Sequence, residues 1–424
     1  MLKYQIRHNK VCPVLNHSGK LRRNKINGCN IAALKLGQLY CKVSFNGPCW
    51  SFHIRYCIMS LIDHIDILEE LCATPGVAGL EDPMVRLVRR LMSQYTDDVC
   101  VDKLGNVIGR MPATQPDAKT LLIAAHMDEI GFVVRHIRDD GFISVFKCGY
   151  PLDRVLPSTP VAVHSDEGTA HHAIFAIKSH HVSTPEERFQ VIPIEDSYID
   201  AGFESAEAVA AAGIHVGSPV TWWPNFRVKG DQIMTKTLDN RLCVFAVLQM
   251  MAALKGRDLP VNVACVGTVQ EEFSCKGAVV AAHNVKPDMA VAIDVTISMD
   301  TPELQGQELS EARLGGGIAI NSFGYHPTLP FVGTTANPKL VQQMVTTAER
   351  HELPYVRTIS SRIMTDASWM QYVGDGVPVV ELGIPCRYCH SPTEVATITD
   401  TQTAIDLLTN FVLDLPPDLD LSRG

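Results

Sequence analysis

Polar residues that can bind metal ions follow several apolar segments of this chain. The unbroken apolar run at residues 121–125 leads directly into His126, Met127 and Asp128, and such a run is typical of a buried parallel strand. At the carboxyl end of a strand, an imidazole can ligate a metal ion through one ring nitrogen. An Asp two residues later, on the same side of an extended chain, can accept the proton of the other ring nitrogen. A polar loop residue is the more common explanation for one such His, so the interpretation depends on the other strand ends.

Three further apolar segments lead into potential ligands in the same way. These segments are residues 261–269, 289–293 and 377–382. The residues that follow them are the pair Glu271 and Glu272, then Asp294, and, after a short loop, His390. Asp239 stands at a fifth junction, where a strand or loop meets the start of a helix, and an Asp in that position is commonly only a helix N-cap. Each residue has a simple structural explanation, but together they form a set.

Two imidazoles and three or four carboxylates at one edge of a parallel sheet suit two divalent ions about 3.5–4 Å apart. Mixed imidazole and carboxylate ligands favour zinc, with cobalt or manganese as substitutes. Catalysis would also require one carboxylate that is free to take a proton from a bridging water. The neighbouring residues Glu271 and Glu272 could divide these two roles, because adjacent side chains on an extended turn point in different directions.

Hydrophobic spacing predicts the elements that would position these residues. Helical stripes alternate with the apolar strands, which predicts an α/β fold with a mostly parallel sheet flanked by helices. The stripes lie at residues 62–72, 81–95, 242–254, 339–352 and 401–413. Residues 131–232 interrupt this pattern with short β-like runs separated by turn residues, which predicts an inserted small β-rich domain. Residues 59–130 and 233–424 would then form the catalytic domain.

The first 58 residues differ in composition from the rest of the chain. They contain ten Lys or Arg, no Asp or Glu, and five of the thirteen Cys, and they show no useful helical or strand periodicity. A transit peptide and a metal-binding Cys cluster are alternatives, but Ser is scarce and the Cys spacings match no zinc pattern. We expect residues 1–58 to be an extension outside the fold, with Met59 as the natural start.

The overall composition is that of an ordinary globular protein, with 46% hydrophobic and 20% charged residues. A net charge of −9 argues against nucleic acid as a partner. No apolar run approaches the length of a membrane-spanning helix. Thirteen Cys without a signal peptide indicate a reducing compartment, so we expect a cytoplasmic protein with no membrane partner.

Five blocks of this sequence resemble the signature motifs of the tetrahedral aminopeptidase family. These dinuclear metallopeptidases are also called glutamyl or deblocking aminopeptidases, and some carry the label endoglucanase. The blocks are AHMDEIG at 125–131, KTLDNR at 236–241, VQEE at 269–272, AIDVT at 292–296 and HSPTE at 390–394. They occur in the order typical of the family, and the resemblance extends from about residue 59 to residue 413.

The resemblance implies a zinc-peptidase-like fold and a role for each candidate residue. It implies His126 and Asp294 as ligands of one metal ion, Glu272 and His390 as ligands of the other, and Asp239 as the bridge. Glu271 would be the general base, and Asp128 would orient the imidazole of His126. The resemblance also implies that the insert is a dimerisation domain and that dimers assemble into a hollow dodecamer.

The expected activity is the removal of N-terminal residues from short peptides, with Glu271 as general base on a metal-bridging water. A glycoside hydrolase is an alternative, but it requires two carboxyl groups facing each other across a sugar at roughly 5–9.5 Å. Adjacent Glu271 and Glu272 do not suggest that arrangement. A catalytically silent scaffold of the same fold is a third possibility, against which the complete set of ligands argues.

Two departures from the family pattern are expected to reshape the substrate pocket. After the Glu pair the chain has Phe273, Ser274 and Cys275 where the family usually has a segment that begins with Val-Gly, and Met364 stands where a Gly is usual.

Within the insert, Trp222, Trp223 and Phe226 lie close together in the sequence. We expect them to form an exposed apolar patch that another subunit covers.

Overall fold

The computed structural model describes residues 61, 64–307, 310–326 and 333–423. The expectation for residues 1–58 lies outside these described residues. The strands are β1 Asp98–Val101, β2 Val107–Met111, β3 Thr120–His126, β4 Gly131–Ile137, β5 Ile143–Cys148, β6 Pro160–His164, β7 Ala170–Phe175, β8 Ile199–Asp200, β9 Pro219–Trp222, β10 Arg227–Lys229, β11 Gln232–Thr235, β12 Asn262–Thr268, β13 Met289–Ile297, β14 Ile318–Tyr325, β15 Tyr355–Ser361, β16 Val379–Cys386 and β17 Glu394–Thr397. The α-helices are α1 Ile65–Ala73, α2 Asp82–Met92, α3 Ala206–Ala211, α4 Leu238–Leu254, α5 Glu271–Ser274, α6 Lys276–Val285, α7 Pro338–Arg350, α8 Ala367–Met370 and α9 Ile398–Asp414.

An eight-stranded sheet forms the centre of the α/β part of the chain. Its order is β1-β2-β12-β3-β13-β16-β14-β15. The four central strands β12, β3, β13 and β16 are mutually parallel, as their nearly continuous apolar sequences predict. β1 and β2 are antiparallel because a short turn joins them, and β14 is antiparallel to β16. The predicted α/β fold is confirmed, with a sheet that is parallel at its centre and mixed towards its margins.

Helices cover both faces of this sheet. The long helix α4 is buried along most of its length, and it contacts α9, α1, β3 and β13 in the largest hydrophobic core. A helix that is apolar on nearly all sides belongs in such a core. A second core, rich in Ala, includes residues of α6 and α8 on the sheet. Among the described helices, none is long and apolar enough to cross a membrane.

The segment between β3 and β10 contains a closed six-stranded barrel, with the strand order β4-β5-β8-β7-β6-β9. It has its own hydrophobic core, in which the ring of Phe132 contacts Phe175 and Trp222 edge to face at centroid distances of 5.0 and 5.1 Å. A short three-stranded sheet, β10-β11-β17, follows the barrel.

The prediction that Trp222, Trp223 and Phe226 form one exposed apolar patch is wrong for Trp222. Trp222 is only 1% exposed, because side chains alternate along β9 and this one points into the barrel core. Trp223 lies just beyond the end of β9 and is 37% exposed. Phe226 packs against the core of the α/β part of the chain.

Candidate metal centre

The parallel register of the central strands brings potential ligands to one edge of the sheet. His126 is the last residue of β3, and it is paired with Thr268, the last residue of β12. After two intervening residues come Glu271 and Glu272, which begin α5. Asp294 lies on β13, which pairs with β3 on its other side. The strand ends therefore meet as their sequences predict.

One group of possible ligands surrounds Nε2 of His126. This nitrogen lies 3.1 Å from Oδ1 of Asp239 and 3.8 Å from Oδ1 of Asp294. The three residues His126, Asp239 and Asp294 can offer one ligand atom each, all within 4.8 Å of one another. Oε2 of Glu271 faces the same nitrogen at 3.9 Å.

A second group of possible ligands shares Asp239 with the first. Nε2 of His390 lies 3.5 Å from Oδ2 of Asp239 and 3.6 Å from Oε2 of Glu272. Asp239, Glu272 and His390 again meet the distance requirement for a common ion. Because Oδ1 of Asp239 faces one imidazole and Oδ2 faces the other, this carboxylate lies between the two groups.

Both imidazoles direct Nε2 towards the shared carboxylate of Asp239 and Nδ1 towards another oxygen atom. Nδ1 of His126 lies 3.5 Å from Oδ1 of Asp128. Nδ1 of His390 lies 3.4 Å from the carbonyl oxygen of Tyr150, which can only accept a hydrogen bond. An acceptor at Nδ1 favours the tautomer whose Nε2 carries a lone pair, which is the form that ligates metal ions.

Two further carboxylates hold the backbone of the ligand-bearing loops. Asp128 is fully buried, and its two oxygens accept the N–H groups of Glu271 and Glu272, each at 3.0 Å. Glu394 accepts the N–H of Asp239 and that of His390, each at 2.9 Å. The role of Glu394 was not predicted from the sequence. It follows from the antiparallel pairing of β11 with β17, which places Glu394 opposite Thr235.

A buried ion-pair network connects the first two sequence blocks. Glu129 lies between Nζ of Lys236 at 2.5 Å and Nη2 of Arg241 at 3.7 Å, and all three side chains are almost completely buried. Glu129 lies close to His126 in the sequence, and Lys236 and Arg241 lie on either side of Asp239. The network therefore fixes the loop that carries Asp239 against the end of β3.

Several residues of the site adopt left-handed backbone conformations without being Gly. Thr237, Gln270 and His390 have φ values of 58°, 58° and 64°, a region that side chains with a Cβ rarely occupy. The peptide bond between Asp239 and Asn240 is cis. Gly149 allows the exit from β5 to approach the site, because a Cβ there would lie 3.1 Å from Oε2 of Glu272.

The electrostatics of the two groups suit divalent cations. Burial raises the pKa of Glu271 and of Asp294 well above the ordinary carboxyl range, and neighbouring carboxylates add to the shift. Burial also raises the pKa of Glu272 to about 7, although His390 opposes the shift. Burial disfavours ionisation of Asp239 too, but contacts with the two imidazoles keep its pKa below the usual value. The four carboxylates would carry four negative charges when ionised, and two divalent ions would balance them.

The two groups form part of the lining of a cavity of about 360 Å³. Tyr150 and Leu152, from the loop after β5, lie on its wall together with residues of β13 and of the segment between β15 and α8. Both predicted departures lie near this cavity. Met364 lines it, and Sγ of Cys275 lies 3.4 Å from Oε1 of Glu271.

Comparisons with known proteins place this arrangement in a family. A family model described as M42 glutamyl aminopeptidase matches residues 105–407. The chain is 30% identical to the lysyl aminopeptidase of Pyrococcus furiosus, over 83% of this chain and 97% of that protein. The solved structure of aminopeptidase APDkam598 from Desulfurococcus kamchatkensis has a TM-score of 0.79 and 34% identity, and the match covers 85% of this chain and 97% of that one.

The chain is also similar to a solved structure of a peptidase that forms large assemblies. The Pyrococcus horikoshii TET1 peptidase can assemble into a tetrahedron or a large octahedral shell. It has a TM-score of 0.73 and 27% identity, and the match covers 83% of this chain and 99% of that one. These matches confirm the predicted family and its peptide-hydrolysing activity. The chain belongs to the M42 glutamyl aminopeptidase family, whose members are metal-dependent.

Proposed function

We propose that this protein is a dinuclear metal-dependent aminopeptidase that removes N-terminal residues from short peptides. The observation that carries the proposal is the position of Asp239, whose two oxygens face the imidazoles of His126 and His390. A carboxylate shared by two groups of ligands is typical of paired metal ions. In this proposal His126, Asp239 and Asp294 hold one ion, and Asp239, Glu272 and His390 hold the other.

Residues of the chain would carry out the proton transfer and hold the catalytic groups in position. When bound, the two ions would supply Lewis acidity for the scissile carbonyl and the substrate amine, and would lower the pKa of the attacking water. Glu271 belongs to neither group of three ligands but faces the same space. Its carboxylate accepts the proton of the attacking water and delivers it to the leaving amine. Asp128 holds the imidazole of His126 and the backbone of both Glu residues in position.

The donor set favours zinc, with cobalt or manganese as possible substitutes, because imidazole and carboxylate ligands are mixed. We place the protein in the cytoplasm. The eight Cys of the part of the chain that the structure describes are all free thiols, which agrees with a reducing compartment.

We also propose that residues 131–232 mediate subunit contact and that dimers assemble into a closed dodecameric shell. The barrel and the loop after β7 expose large apolar side chains, which are Phe146, Ile177, Val182, Phe189 and Val191. A group of exposed apolar residues of this kind is typical of a protein interface. A closed shell would restrict access to short or unfolded peptides.

Metal analysis combined with a peptidase assay tests the proposed activity. The purified protein is expected to contain close to two divalent ions per chain, measured by plasma mass spectrometry. It is expected to cleave aminoacyl-nitroanilides. A chelator should abolish cleavage, and added zinc, cobalt or manganese should restore it. Hydrolysis of a β-glucan that survives chelation would favour the glycosidase alternative, and a chain that binds metal without cleaving either substrate would favour the silent scaffold.

A further inference from the structure

The cavity over the metal centre has a largely aliphatic wall. Apart from the possible ligands, its apolar lining includes Leu152, Val295, Ile297, Ile363 and Met364. Leu152 and Ile297 remain 39% and 45% exposed. Apolar surface that stays in contact with water inside a concave site favours an apolar group of a ligand.

The charges around this wall discriminate against a basic side chain. Among the described residues that line the cavity, the carboxylates are only Asp239, Glu271, Glu272 and Asp294, and two divalent ions would balance their charges. No further carboxylate of that lining is left to pair with the ammonium group of a substrate Lys. Arg362 also lines the cavity, and its permanent positive charge would repel such a group.

Met364 occupies a fixed position on the wall. The hydroxyl of Thr365 donates to Oε1 of Glu381 on β16, and Asp366 accepts a hydrogen bond of 2.5 Å from Thr268 at the end of β12. These buried contacts anchor the two residues after Met364 to the central sheet. The Met side chain, which extends three heavy atoms beyond Cβ, therefore takes up space where a Gly would leave the cavity open.

We infer that the cavity takes the side chain of an aliphatic N-terminal residue and that Met364 determines the size it accepts. This inference rests on the proposed aminopeptidase function and specifies its substrate class. Leu and Met are the expected preferred residues. Ala would leave the wall partly uncovered, Phe would collide with Met364, and Lys would meet Arg362 without a partner. Removal of the Met side chain should shift the preference towards larger apolar residues.

The test compares kcat/KM for the nitroanilides of Ala, Leu, Phe, Glu and Lys, using metal-loaded wild-type protein and two variants. In the wild type, Leu should exceed Ala and Phe by about tenfold or more, and should exceed Lys by a larger factor. Met364→Ala should raise the Phe-to-Leu ratio by about tenfold. Met364→Glu should raise the Lys-to-Leu ratio, because it places a carboxylate on the same wall. Ile359→Ala, at an exposed residue of β15 outside the cavity lining, is the matched control and should leave all ratios unchanged.

A second readout does not depend on turnover. In calorimetry with the metal-loaded Glu271→Gln variant, free leucine should bind more tightly than either free lysine or free glutamate. A preference for Glu that disappears in Arg362→Met would overturn the inference, since recognition would then depend on charge. Unchanged ratios in stably folded Met364→Ala would overturn it as well. If no aminoacyl substrate is cleaved, the proposed function fails and this inference fails with it, whereas cleavage with a different order of preference refutes the inference alone.

Discussion

The edge of the sheet that carries the candidate metal ligands and the barrel bury polar groups in opposite ways. At the edge, four carboxylates and two imidazoles face one another with little solvent, and burial raises the pKa of several of the carboxyl groups. On strand β6 of the barrel, His164 is buried on the face opposite to the core residues Val161 and Val163, and its Nε2 lies 3.0 Å from the hydroxyl of Thr221. Burial lowers the pKa of His164 to about 4, so it stays neutral. The core of the barrel is formed by apolar side chains, whereas the candidate ligands at the edge of the sheet would reach charge balance only with added cations.

This difference predicts that a change at the edge acts on catalysis, whereas a change in the barrel acts on folding. Glu271→Gln is the strongest test on the catalytic side. It should lower kcat by about 10²–10⁴-fold, because a general base is lost, and leave the metal content unchanged. Steady-state kinetics and metal analysis on the same preparation measure both quantities.

The control for this variant is Glu69→Gln, an exposed carboxylate on α1, which should behave as wild type. If Glu271→Gln loses one metal ion but retains most of its activity, the roles of Glu271 and Glu272 are reversed.

The second prediction concerns the buried ion pair that joins the two sequence blocks. Lys236→Met leaves the carboxylate of Glu129 buried with the N–H of Gly76 and the more distant guanidinium of Arg241 as its remaining partners. We expect a loss of about 3–5 kcal/mol in the free energy of unfolding, measured by urea denaturation, together with weaker metal binding. The double variant Lys236→Met/Glu129→Leu should not regain the wild-type stability, because it leaves the buried guanidinium of Arg241 without its carboxylate partner. Equal stability of Lys236→Met and wild type would contradict this role.

Trp222 provides the corresponding test in the barrel. Trp222→Ala removes a fully buried ring that packs against Phe132, and should cost about 3–5 kcal/mol of unfolding free energy. Trp223→Ala, at a half-exposed position next in sequence, is the matched control and should cost much less. A similar loss of unfolding free energy for both variants would contradict the prediction that Trp222, and not Trp223, stabilises the barrel core.

The general outline of the fold was predictable because long apolar runs and helical stripes record burial directly. β3 and β12 are continuous apolar segments, and their pairing in parallel brings His126 near the Glu pair. Closure of the barrel was not predictable, since β8 is only two residues long and shows no periodicity. The burial of Trp222 was also missed, because adjacent aromatic residues in a sequence do not show which of them points inward.

The residues of the candidate site were predictable from the sequence. The contacts that hold these residues in position were not. Glu394 acts through long-range backbone contacts with Asp239 and His390, and no local pattern reveals such contacts. The left-handed conformations of Thr237 and Gln270 have no Gly to mark them. Glu129, Lys236 and Arg241 are charged residues that sequence reasoning places on the surface by default, yet they are buried because they pair with one another.

The neutral state of His164 gives the barrel a pH dependence of its own. Its pKa is about 4 in the folded chain and about 6.5 when unfolded. The unfolded chain therefore binds more protons between these values, and folded stability falls as the pH falls from 6.5 towards 4. The expected contribution is roughly 2–3 kcal/mol between pH 7 and pH 4.5. Urea denaturation of wild type and His164→Gln at both pH values isolates it, because other titrating groups are common to the two chains. A pH dependence that is the same in both chains would show that His164 has the same pKa in the folded and in the unfolded chain.

The smallest effect on folding, and a specific effect on assembly, is expected in the exposed loop between β7 and β8. Phe189 is 90% exposed, so Phe189→Glu removes no internal contact of the described fold and should change unfolding free energy by less than about 0.5 kcal/mol. If this surface joins subunits, a buried charge at the contact should lower the particle mass measured by multi-angle light scattering. Cleavage of a small nitroanilide should fall much less than the mass, because the residues of the metal centre all lie outside the barrel strands. Ile359→Glu, at an exposed apolar residue on the edge strand β15, is the matched control and should keep the wild-type mass. A wild-type protein that is monomeric at micromolar concentration would remove the basis for the closed shell, and would leave the apolar surface of the barrel without a partner of its own kind.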